Sequence, residues 1–222
     1  MRQTKHGRSA LVLVAVLMAG LLAWPSAGLA QLGGLLPPIG GSTTTTTTAI
    51  TGDAAAVRAT LFGALGLLTT TTALADTGTL SGVNDARDAS MDTGTVPSVL
   101  TGEVLSAGTI SWPDEVDSAV SLANLNMNVA GVGITADSVV AQASQVAGAA
   151  GTGSTTIDNL LVNGTPIAIT GTPNQIVGIP GGQIVINEQS ISSTGTAVVN
   201  AIHVTVTGVA DVVIASATAG IA

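Results

Sequence analysis

Asn124–Gly131 reads NLNMNVAG. Leu125, Met127 and Val129 alternate with Asn124, Asn126 and Asn128. Successive side chains of a strand point to opposite faces, so one face here is apolar and the other is amide. That pattern predicts a half-buried strand. A turn at Gly131–Gly133 and the return run GITADSVVAQASQV follow it.

The same reading extends along the chain. Asn163–Gly164 lies between the apolar runs of TTIDNLLVNGTPIAITG, the dipeptide that a tight hairpin turn favours. Pro180–Gly181–Gly182 predicts a turn before a strand at Ile184–Ile186. In AIHVTVTG, Ile202, Val204 and Val206 form one face, and His203, Thr205 and Thr207 the other. AAAVRATLFGALGLL, from Ala54, has good helix formers, but Val57, Ala59 and Leu61 alternate with Arg58 and Thr60, and a strand is preferred. Turn signals recur every strand length, so the expected fold is all-β: a single antiparallel sandwich or barrel-like domain over 53–222. NLNMNVAGVGITADSVVAQAS and NAIHVTVTGVADVVIASAT share an Ala-Asp pair and a Val-Val run, with Asp137 and Asp211 in matching places. Two equivalent hairpins would produce this echo, and so would chance in so repetitive a composition.

Two segments precede the domain. MRQTKHGR is basic, ALVLVAVLMAGLLAW is apolar but shorter than the ~20 residues of a membrane span, and PSAGLA supplies small residues before Gln31. Residues 1–30 are read as a cleaved secretory signal peptide, giving a periplasmic or extracellular location. Residues 31–52, rich in Gly, Pro and Thr, are read as a disordered, flexible leader. The chain stops after Ile221–Ala222 without an apolar tail, so a released protein with no membrane attachment after cleavage is expected.

Charge narrows the function classes. From Gln31 on there are two cations, Arg58 and Arg87, and all 13 acidic residues, so the net charge is 2 − 13 = −11. Nucleic acid and anionic lipid both require clustered cations, so neither is an expected partner. Phe62 and Trp112 are the only aromatics of that region, which makes at best a poor stacking platform for sugars or bases.

Few residues suggest chemistry. His203 is the only histidine after the signal, no Cys occurs, and no G-x-S-x-G elbow is present. With no local partner in view, His203 is read as a surface histidine among threonines and not as a catalytic base. One histidine without cysteine makes zinc and copper poor choices, and no cofactor is expected unless it is calcium. Asp85, Asp88 and Asp92, together with Asp114, Glu115 and Asp117, are the candidate calcium ligands, against a reading as solvated acidic loops. Trp112 before Pro113 reads as a core plug, with binding as a secondary role. Asn187, Glu188 and Gln189 are expected to hydrogen-bond a neighbouring loop.

The segments TALADTGTL (72–80), PSVLTGEVLSAGTISWPDEV (97–116), SLANLNMNVAG (121–131), ADSVVAQAS (136–144), STTIDNLLVNGTPIAITGTPNQIVGIPGGQIVINEQ (154–189) and NAIHVTVTGVADVVIASATAGI (200–221) resemble the choice-of-anchor P family of exported bacterial proteins. The resemblance implies a secreted or surface domain, with no activity and no catalytic residues to carry over. The expected function is therefore a non-enzymatic structural or interaction protein of the cell envelope or extracellular space. It would bind by edge pairing of strands, self-association included. A calcium-dependent module is the alternative, and a hydrolase using His203 the remote one.

Overall fold

The computed structural model describes residues 48–63 and 68–222. The stretch read as a signal peptide, and all but the end of the stretch read as a leader, lie outside the described residues. Among the described residues there are thirteen strands: β1 (Ile50–Phe62), β2 (Thr69–Asp76), β3 (Ala86–Val96), β4 (Leu100–Ser111), β5 (Glu115–Val129), β6 (Val132–Val146), β7 (Thr152–Asp158), β8 (Leu161–Val162), β9 (Thr165–Pro166), β10 (Gln175–Ile179), β11 (Gly182–Ile191), β12 (Ala197–Val206) and β13 (Ala210–Ile221). β1 begins inside the stretch read as leader.

All pairings are antiparallel. Sheet I has the order β10-β11-β12-β13-β1-β2 and sheet II the order β3-β4-β5-β6-β8-β9, with β7 also on β6. Two separate sheets packed face to face make the fold a sandwich and not a barrel. Val57, Ile202, Ile214 and Ile186 of sheet I meet Leu125, Met127, Ile134 and Val116 of sheet II in a core without aromatic residues. Trp112 is only half-buried in the β4–β5 turn and lies outside that core, so it is not the plug expected of it. At the predicted hairpins, Asn163 and Gly164 have φ of 49° and 74°, and Gly181 has 73°. These left-handed values are those that Asn and Gly tolerate best. The echoed segments are both hairpins, β5–β6 and β12–β13, but Asp137 and Asp211 stand at different distances from their turns.

Buried polar groups tie the sheets together. Gln145 of β6 is 2% exposed. Its Oε1 accepts from Ile221 N at 2.9 Å, and its Nε2 donates to Ala149 O and Thr194 O at 3.0 Å. Ser118 Oγ of β5 donates to Thr218 O at 2.6 Å.

A row of irregular residues crosses sheet I. Asn187, Ala201, Ala215, Ala56 and Ala75, one per strand from β11 to β2, drop out of the regular pairing. Asn187, Ala215 and Ala75 have φ of 53°, 54° and 44°. The row shifts the inside–outside alternation by one residue, as a bulge does. On β12, Ala197, Val199 and Ala201 point inward, and then Ile202, Val204 and Val206 do so. Asn200 and His203, three apart, therefore share the outer face.

Candidate functional site

The outer face of sheet I carries the polar cluster of greatest interest. β11 supplies Glu188, β12 supplies Asn200 and His203, and β13 supplies Asp211. Pairing sets Glu188 opposite Asn200, His203 opposite Val185 and Val213, and Asp211 opposite Thr205. Glu188 and Asp211 are thus diagonal neighbours of the imidazole, within reach of long side chains. His203 Nδ1 lies 2.9 Å from Glu188 Oε2, and Nε2 lies 2.9 Å from Asp211 Oδ1. Asn200 Nδ2 donates to the same Glu188 Oε2 at 2.6 Å. Asn200 Oδ1 is buried without a hydrogen-bond partner in the structure. The expectation that His203 lacks a carboxylate partner is corrected by this geometry. The partners come from two other strands, and a local reading of AIHVTVTG does not contain them.

The geometry also favours one charge state. A neutral imidazole has one N–H and one lone pair, so it can satisfy only one flanking carboxylate. The imidazolium donates to both. Half-burial lowers the pKa, but the hydrogen bond and charge of Glu188, followed by those of Asp211, outweigh it and raise His203 above its usual 6.5. With both nitrogens engaged by carboxylates, the ring presents no lone pair to a nucleophile and no free N–H to a leaving group. The two carboxylates approach opposite edges of the ring and do not converge on a common point. Among the described residues, no three His, Asp or Glu side chains form a cluster able to hold a metal ion.

Arg58 of β1 is the next cation along this face, beyond Val213, with which it pairs. It binds Asp53, and Asp76 lies 3.5 Å away. Burial opposes its charge, but Asp53 and Asp76 together raise its pKa. The face thus alternates carboxylate and cation across five strands.

The other candidate residues are spread out. Asp85 precedes β3 and accepts from Ser81 N at 2.7 Å, Ser81 Oγ at 2.8 Å and Arg87 Nε at 3.2 Å. The Ser81 amide and hydroxyl, with Arg87, hold its pKa at about 2. Asp88 and Asp92 lie farther along β3, where a rise of about 3.3 Å per residue spaces the three carboxylates by roughly 10 Å or more. Asp114 lies in the β4–β5 turn, Glu115 opens β5, and Asp117 lies within β5. Desolvation, then Asp117 and Asp114, raise the Glu115 pKa. Trp112 N donates to Glu115 O at 2.8 Å, closing that turn. A depression of about 240 Å³ at the β3–β4 turn is lined by Thr95, Ser98, Thr101, Asn126 and Asn128, and no titratable side chain faces it.

Asn187 and Gln189 hydrogen-bond neighbouring segments as expected: Asn187 Nδ2 donates to Gly171 O at 3.2 Å and Gln189 Nε2 to Gly153 O at 3.2 Å. Glu188 between them turns to His203 instead. Compared with protein-family models, with curated proteins and with solved structures, the chain matches none.

Proposed function

We propose that this protein is a secreted, non-enzymatic structural or interaction protein of the cell envelope or extracellular space, which binds partners through strand edges. The observation that carries the reading is the engagement of both ring nitrogens of His203 by Glu188 and Asp211. Acid–base catalysis needs a nitrogen free to exchange a proton with substrate. Here the ring links β11, β12 and β13 as a charged clip. The net charge of −11 from Gln31 on and the shortage of aromatic residues argue in the same direction. The resemblance to the choice-of-anchor P family agrees with an exported domain that carries no activity.

The test is an activity screen of wild type and His203→Gln against ester, peptide and glycoside substrates. The reading expects no turnover by either protein. Turnover by wild type that is lost in His203→Gln, with the fold intact by circular dichroism, would refute it.

A further inference from the structure

We infer that the β10 edge of sheet I is where this protein self-associates, by antiparallel pairing with β10 of a second copy centred near Val177. The inference rests on the strand-edge reading above and names the edge. Among the described residues, β10 is the terminal strand of sheet I and is hydrogen-bonded to β11 alone, which leaves the backbone groups of its outer side open to pairing. Charge and proline together single it out among the edges. From Asn159 to Asn187 the sequence has no Asp, Glu, Lys or Arg, although the rest of the chain from Gln31 has a net charge of −11. That uncharged stretch covers β8, β9, β10 and the first part of β11.

The other edges are guarded. β3 carries Arg87, Asp88 and Asp92, and a symmetric pairing centred on Ser90 would set Asp88 against Asp92 of the other copy. β2 ends at Asp76 and β7 at Asp158, while β9 is two residues long and ends in Pro166. Charges and proline are the usual means of preventing edge pairing, and β10 has neither within it. Its Ile176 is 64% exposed on the outer face, beside Val185 of β11. A second copy is the occupant that fits: an acidic chain repels itself at any charged edge, and this edge lets two copies meet without opposing carboxylates. Pairing here would join two copies of sheet I into one continuous sheet.

The experiment is sedimentation of the full purified chain across micromolar to millimolar concentrations, with three variants. Ile176→Lys and Gly178→Pro alter the proposed edge, and Ser90→Lys alters β3 as a control. Circular dichroism confirms that each variant folds. The inference expects a wild-type dimer, a dimer for Ser90→Lys, and a dimer weakened at least tenfold by Ile176→Lys and by Gly178→Pro. A dimer that survives both β10 variants and is lost in Ser90→Lys overturns the choice of edge while keeping self-association. A wild-type monomer at every concentration overturns the edge and self-association together, and leaves a non-enzymatic role to be judged by the activity screen.

Discussion

At the residue scale, two side chains carry unusual weight. His203 gains stability for the fold as a cation. Its folded pKa is raised, so the contribution is fully present below the unfolded pKa near 6.5 and is lost as pH rises through the folded value. His203→Gln should therefore lower stability by about 1 kcal/mol in mildly acidic solution, allowing for its partly exposed partners, and by progressively less at alkaline pH. Urea denaturation of both proteins across that range checks it, and a constant difference would contradict it. Gln145 uses its oxygen and both amide hydrogens in a buried setting. Gln145→Leu leaves Ile221 N and two carbonyls unpaired, at a cost of roughly 2–4 kcal/mol by the same denaturation measurement. Of the His203 partners, Asp211 was the more legible in sequence. A turn after Val206 pairs Thr205 with Asp211, which sets that carboxylate one diagonal step from the imidazole. Glu188 was not legible, because strict alternation from Ile184 and Ile186 places it on the inner face, and only the irregular residue Asn187 turns it out toward His203.

At the scale of elements, alternation decided what could be read. It located β5 through Leu125, Met127 and Val129, all buried, and β12 through Ile202, Val204 and Val206. It could not foresee the irregular row, because the Ala at 56, 75, 201 and 215 gives no sign of a backbone excursion. Strict period two places Asn200 on the inner face with Ile202, and the row moves it out to Glu188. The row has a testable cost. Ala215 is buried at φ 54°, where a β-branched side chain is strained and glycine is relaxed. Ala215→Val should destabilise by more than about 2 kcal/mol, and Ala215→Gly should stay within about 1 kcal/mol of wild type. Equal losses in the two variants, measured by thermal unfolding, would show that the left-handed conformation is not what matters at this position.

At the scale of the whole molecule, an apolar aliphatic sandwich is wrapped in a strongly acidic surface with two arginines, Arg58 and Arg87, from Gln31 on. Self-repulsion of such a surface opposes the compact state and is screened by salt. Moderate sodium chloride should raise the melting temperature by a few degrees, and a fall would mean that the clip at His203 and the pairs at Arg58 outweigh the repulsion. The functional reading of the molecule turns on the charge of one ring. Nitrogen-15 NMR of the histidines, with His203→Gln used to assign the signal, reports both ring nitrogens directly. The account predicts that His203 titrates above the usual imidazole value of 6.5, with both nitrogens protonated below that transition. A ring that titrates at or below 6.5 would contradict it.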